Sequence, residues 1–244
     1  VSCERVFLPE KKSRQISATS YETGLSLSKF DIILFSVSFE NDYIHLVRLL
    51  GEAGIPLRSS DRNHIHPLVV AGGVACFLNP EPLSPFIDCF LLGEAELLID
   101  SFFKLYTPEK QEMLNKLHNQ LESAYVPFLQ KKKPKKVKVS HVINLSKIDT
   151  FSSLITGDSA FKDTFLIETG RGCPHGCRFC SAGFIYRPPR IYPEDNIKAS
   201  IDRACEHTNK IGLVSSAVSD HPDLASVCRY GTQKEMTLSF SSLR

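Results

Sequence analysis

The sequence predicts an α/β protein built from two parallel-sheet units. Three observations predict it. Apolar runs of strand length alternate with segments of helical period. The strand candidates are unbroken apolar runs rather than alternating ones, as in sheets covered on both faces. Glycines close the second and third of these runs, marking strand ends of the kind that carry ligands in such folds. At 244 residues, the chain is long enough for a core in each unit.

Taken in order, FDIILFSVSF (30–39) is the first strand. NDYIHLVRLLGEAG (41–54) is a helix with Asn41 as cap candidate, Ile44, Val47, Leu50 and Ala53 on one face, and Gly54 at its end. HPLVVAGG (66–73) is a second strand, PEPLSPF (80–86) a short helix or turn, and IDCFLLG (87–93) a third strand. EAELLIDSFFKLY (94–106) is a helix, and TPEKQEMLNKLHNQLESA (107–124) another, with Thr107 as cap and Pro108 at its first position. The lysine-rich KKKPKKVKV (131–139) is expected as a solvated loop, and 140–163 as weakly patterned chain between the units.

The second unit opens with the strand DTFLIET (163–169), then the helix PEDNIKASIDRACEHT (193–208) and the strand KIGLVSSAV (210–218). The helix HPDLASVCRYG (221–231) and the strand MTLSFSSL (236–243) complete β-α-β-α-β, the start of a parallel barrel or of an open sheet.

Composition is that of an ordinary globular protein: 42% apolar, 23% charged, net charge +2. That charge gives no reason to expect nucleic acid or an anionic membrane surface. No apolar run approaches the roughly 20 residues of a membrane span. The eight cysteines are too sparse for a disulfide framework. A reducing, cytoplasmic setting is therefore expected, with Cys76, Cys89, Cys205 and Cys228 as small buried side chains.

Three cysteines stand apart. In ETGRGCPHGCRFCSAG (168–183), Cys173, Cys177 and Cys180 are spaced C-x3-C-x2-C among Gly170, Gly172, Gly176 and Gly183. The loop follows a strand end. Its glycines let backbone approach a ligand closely, and its N–H groups can tune a cluster. Soft thiolates select zinc, copper(I) or iron–sulfur. Structural zinc takes four ligands, usually as two C-x2-C pairs; here one pair is present, and His175 is the nearest candidate for a fourth. A redox or nucleophilic site needs only one or two thiols. An iron–sulfur cluster held by three cysteines leaves one iron open to bind a small molecule, and the pattern favours this reading.

CPHGCRFC resembles the C-x3-C-x-aromatic-C signature of radical SAM enzymes, with Phe179 as the aromatic. The wider FLIETGRGCPHGCRFCSAGFIYRPPR (165–190) looks like the subgroup with an N-terminal cobalamin-binding-type domain. VVAGGVACFLNPEPL (69–83) and FLLGEAE (90–96) are similar to the Gly-Gly, Asn-Pro-Glu and Gly-Glu stretches of those domains. The resemblance covers roughly residues 30–100 and 164–244.

It implies a Rossmann-like (flavodoxin-like) sheet over 1–125, a linker over 126–162 and a partial radical SAM (β/α) barrel over 163–244, cut after its third strand. Cys173, Cys177 and Cys180 would hold a [4Fe-4S] cluster, with Gly176 in the loop around it. S-adenosylmethionine would chelate the open iron and be cleaved to a 5′-deoxyadenosyl radical, with electrons from a flavodoxin- or ferredoxin-type donor. Phe179 would lie near the adenine. Ser215 and Ser216 stand where the family often has a Gly-Gly-Glu-like segment holding the methionine amino group. Ser36, Ser38, Gly72, Gly73 and Gly93 are the implied cobalamin contacts. A D-x-H-x-x-G loop is absent and His45, His64 and His66 are out of frame, so cobalamin binds without such a ligand or not at all. Arg187 and Arg190 of RPPR could grip an anionic substrate or stiffen the chain; Asp220, His221 and Asp223 could act chemically or cap a helix. No catalytic side chain and no substrate are assigned. The competing readings are a non-catalytic electron-transfer or regulatory iron–sulfur protein, and a zinc-binding interaction module.

Overall fold

The computed structural model describes residues 2–7 and 18–242. The chain falls into two compact units, Val1–His141 and Val142–Arg244. The expected linker therefore divides between them.

In the first unit, β1 (Ile32–Ser36), β2 (Leu68–Gly72), β3 (Cys89–Leu91) and β4 (Ala124–Tyr125) form one sheet in that order. β1, β2 and β3 are mutually parallel and β4 is antiparallel to β3. Alternation along the strands sends Ile33, Val69, Ala71 and Phe90 to one face and Leu68, Val70, Cys89 and Leu91 to the other. The first face packs on α1 (Asp42–Glu52) and α2 (Val74–Leu78) through Leu46, Leu49, Leu50, Ala75 and Cys76. The second packs on α3 (Ala95–Lys104), α4 (Lys110–Gln120) and α5 (Pro127–Lys132). A sheet covered on both faces explains why its strands read as continuous apolar runs.

Two helices differ in detail from the sequence reading. The buried stripe of α1 is Leu46, Leu49 and Leu50, while Ile44 is 74% exposed. The cap of α4 is Glu109 rather than Thr107: its carboxylate accepts the N–H groups of Gln111 and Glu112. A carboxylate here also suits the positive end of the helix dipole.

The strands are tied below by a buried ionic cluster. Arg62, with a fully buried side chain, donates to Asp88 at 3.1 and 3.3 Å and to the carbonyl oxygens of Pro56, Leu57 and Phe86. Asp88 also accepts from Val69 N–H at 2.8 Å and pairs with Lys110 at 3.0 Å. Every charge in it has a partner, which is the condition for tolerating buried ions.

The lysine run is not a uniform loop. Its start belongs to α5, and Lys135 donates to the carbonyl oxygens of His118 (2.6 Å) and Leu121 (3.0 Å), closing α4. Lys131, Lys132, Lys133, Lys136 and Lys138 are exposed. His118 is buried, with Nε2 3.1 Å from the Lys133 carbonyl oxygen. Burial, then the Lys135 charge, holds its pKa below the ordinary value. The unfolded chain thus takes the proton first. Stability is expected to be flat above the unfolded value of about 6.5 and to fall as pH drops below it. His118→Gln should flatten this dependence, measured by denaturant melts between pH 7.5 and pH 5, relative to each protein's own value at the upper pH.

The second unit holds the parallel sheet β5 (Phe165–Glu168), β8 (Lys210–Val214) and β9 (Thr237–Phe240), in that order. The last expected strand residue, 243, lies outside the described residues. α7 (Glu194–Ala204) and α8 (Leu224–Gln233) cover the sheet through Ile197, Ile201, Ala204 and Val227 on Phe165, Ile167, Ile211 and Leu213. Val142 and Leu145, with half-buried Ile148, Phe151 and Ile155, complete this core. Leu166 and Val214 of the sheet are only half-buried. Among the described residues no helix is long and apolar enough to cross a membrane.

Candidate functional site

The cysteine loop is the tip of a β-hairpin. β5 ends at Glu168, and Thr169 N–H donates to the Val214 carbonyl oxygen at 2.9 Å, holding the chain beside β8. β6 (Gly170–Arg171) then pairs antiparallel with β7 (Arg190–Ile191). Between them lie Cys173, Cys177, Cys180 and the short α6 (Ala182–Ile185). The hairpin thus projects from the carboxyl end of a parallel sheet, where α/β folds place ligands.

A network under the hairpin fixes its base. Arg171 forks onto Glu168 with contacts of 3.0 to 3.2 Å and donates to Thr150 Oγ1 at 3.1 Å. Tyr192 donates to Glu168 at 2.9 Å and lies 2.8 Å from Thr150 Oγ1. Burial raises the Tyr192 pKa, so the phenol keeps its proton and remains a donor. Arg190 is buried and donates to the carbonyl oxygens of Pro188 and Val142. Arg187 donates to the Gly183 carbonyl oxygen and lies over the Phe184 ring at 4.6 Å. Both arginines of RPPR are thereby engaged within the unit.

Two glycines shape the loop above. Gly172 has φ +82°, and a Cβ there would strike the Tyr186 carbonyl oxygen. A Cβ on Gly183 would strike the carbonyl oxygen of His175. Between these pinned points Cys180 N–H donates to the Cys177 carbonyl oxygen at 3.2 Å, forming the tight turn that a C-x2-C pair needs. Gly176 has open space around it. Cys173 is buried at 5% exposure; Cys177 and Cys180 are half-buried. Phe179 is 92% exposed, so it is not packed under the loop.

Ser215 lies at the hairpin base, where a Cβ on Gly170 would come 3.5 Å from its hydroxyl. Its carbonyl oxygen accepts from the Ser241 and Ser242 hydroxyls. Ser216 is exposed. His221 is buried and structural: Nδ1 accepts the Asp223 N–H at 3.2 Å, leaving Nε2 as donor to the Tyr192 carbonyl oxygen at 3.0 Å. Asp220 instead reaches His175 of the cysteine loop at 2.6 Å.

The remaining cysteines are poorer ligands. Burial pushes the Cys76 thiol up to about 12 and also raises Cys89 and Cys228, which keeps them protonated. Cys205 is exposed and Cys228 half-buried, rather than buried as expected. Among the described residues there is no disulfide, and no three His, Cys, Asp or Glu side chains stand gathered as a metal would hold them.

Comparison with known families decides the class. The family model described as "Radical SAM proteins, N-terminal" matches residues 1–127, and "Radical SAM superfamily" matches 167–242. The chain belongs to the radical SAM superfamily. An uncharacterized protein of Methanocaldococcus jannaschii is similar to it, 29% identical over 222 residues, which cover 89% of this chain and 45% of that protein. The chain thus spans about half the length of the relative it matches.

The donor set fits the cluster this family implies. Three thiols of soft character stand in one loop with glycine-shaped backbone, and closing them on iron would order the loop as metal sites commonly do. The glycines implied as cobalamin contacts serve packing instead. At the carboxyl edge of the first sheet, a Cβ on Gly73 (φ +95°) would strike Val37 backbone, and one on Gly93 would come 2.7 Å from Ser140 backbone. Gly72 lies likewise against the Leu91 carbonyl oxygen at 3.1 Å. These glycines admit the chain's own backbone. The cavity beside these glycines is about 170 Å³, while a larger one of about 800 Å³ runs along β1 and reaches Ser36.

Proposed function

We propose that this radical SAM protein binds a [4Fe-4S] cluster through Cys173, Cys177 and Cys180 and presents its open iron to S-adenosylmethionine. The observation that carries the reading is the placement of all three cysteines on one hairpin at the carboxyl end of β8's partner strand β5. Bound there and reduced by one electron from an external donor, the cluster would supply the electron that breaks a carbon–sulfur bond of S-adenosylmethionine, giving methionine and a 5′-deoxyadenosyl radical for hydrogen abstraction from a substrate.

The chain's own residues bind and orient. Gly172 and Gly183 let the loop backbone pass close to Tyr186 and His175, which sets its shape. Ser215 and Ser216, at the end of β8, offer hydroxyl and backbone groups for the amino acid end of the cosubstrate. Phe179, exposed on the loop, offers a face for the adenine. The first unit is read as a Rossmann-like, cobalamin-type sheet whose strand-end glycines serve packing. A cytoplasmic setting belongs to the same proposal, supported by the scattered cysteines.

The test is anaerobic reconstitution with iron and sulfide, with metal counting and electron paramagnetic resonance of the reduced protein. About four irons per chain, with a spectrum altered by S-adenosylmethionine, is the expected result. A cluster that ignores S-adenosylmethionine would favour an electron-transfer or regulatory protein, and bound zinc would overturn the reading.

A further inference from the structure

We propose that His175 and Asp220 form a clasp that sets the position of the cysteine loop against the segment following β8. This rests on the cluster reading above. His175 Nε2 lies 2.6 Å from Asp220 Oδ2, across 45 residues of sequence. Asp220 closes the one-turn helix Val218–Asp220, which Ala217 separates from Ser215 and Ser216.

The contact joins two pieces of chain that must keep register. His175 stands midway between Cys173 and Cys177, so a turn about its backbone moves both thiols. Its carbonyl oxygen is already held within the hairpin by the close approach of Gly183. Its side chain carries that restraint outward to the β8 side. Around it the loop is little packed: Pro174, His175 and Gly176 are exposed, and Gly176 has open space on its Cβ side. Both partners are partly exposed, at 43% and 33%. Such a pair adds little to global stability, so its effect is local. A cosubstrate reaching from an iron on the loop to Ser215 and Ser216 spans the two pieces that the clasp ties together. His175 and Asp220 are therefore positioning residues, not ligands.

The experiment compares the native chain with Asp220→Ala, Asp220→Asn and His175→Ala, each first checked for native circular dichroism. Hydrogen exchange of the loop amides 175–180 is read without metal, then iron content and the resonance spectrum with and without S-adenosylmethionine. Asp220→Ala and His175→Ala are expected to speed loop exchange about two- to fivefold while leaving core amides unchanged. Both should bind iron yet lose the spectral response to S-adenosylmethionine. Asp220→Asn, which keeps an oxygen acceptor, should retain that response. Unchanged exchange in both alanine variants would overturn the clasp, as would a full response in either one. A native chain that takes up no iron would overturn the cluster reading, and the metal-free exchange comparison would still decide whether the clasp holds the loop.

Discussion

Cys177→Ala protein should leave anaerobic reconstitution essentially without a cluster. The same is expected of Cys173→Ala and Cys180→Ala. Three cysteines are the full protein ligand set proposed, so removing one leaves two thiolates, too few to retain a cubane. The buried cysteines cannot take over. Cys76 and Cys89 lie in the first unit's core with thiols raised by burial, and Cys228 is raised as well. Cys205, though exposed, sits at the end of α7 and donates to Met236 sulfur at 3.6 Å. Cys205→Ala and Cys228→Ala should therefore bind iron as the native chain does. Iron and sulfide counts, with the visible absorption of the protein, check this. Native iron content in Cys177→Ala would end the ligand assignment, since the loop offers no substitute sulfur.

The second large effect concerns stability. Asp88→Ala should destabilise the first unit by about 3–5 kcal/mol, because it strands the buried Arg62 guanidinium and part-buried Lys110 together. It also removes the acceptor of Val69 N–H inside the sheet. With a urea dependence of about 2 kcal/mol per molar, the midpoint should fall by roughly 2 M. Replacing both partners, as Arg62→Met with Asp88→Leu, should recover much of the loss, since the desolvation of two ions disappears with them. A midpoint for Asp88→Ala within about 0.5 M of native would contradict this account.

Much of the framework was legible in the sequence because it rests on local signals. The strands β1, β2, β3, β5, β8 and β9 fall inside the apolar runs, and α1, α3, α4 and α7 inside the periodic segments, while α8 runs two residues past the Gly231 expected to close it. The cysteine spacing is equally local. What escaped depends on distant partners. The β6–β7 hairpin pairs Gly170 with Ile191 and Arg171 with Arg190, two-residue strands that carry no periodicity. The Glu168–Arg171–Thr150–Tyr192 network and the His175–Asp220 contact join residues far apart in the chain. The face of α1 was shifted because the sheet, not the helix, selects which leucines are covered. Glu109 displaced Thr107 as cap because its carboxylate satisfies two amides at once. Residues 137–151 hid their packing: Val137 and Val139 join one core, Val142 and Leu145 the other, singly and without a repeat.

Ser140 has a bearing on how the gene could be divided for separate expression. Its carbonyl oxygen accepts Glu94 N–H at 2.9 Å, its N–H donates to the Leu92 carbonyl oxygen at 3.2 Å, and its hydroxyl meets Ser123 at 2.6 Å. A half-gene stopping near residue 125 would strip away this cover and bare the main chain at Gly93. One stopping at His141 carries its own lid for that edge, and leaves Val142 and Leu145 with the other half, whose core they fill.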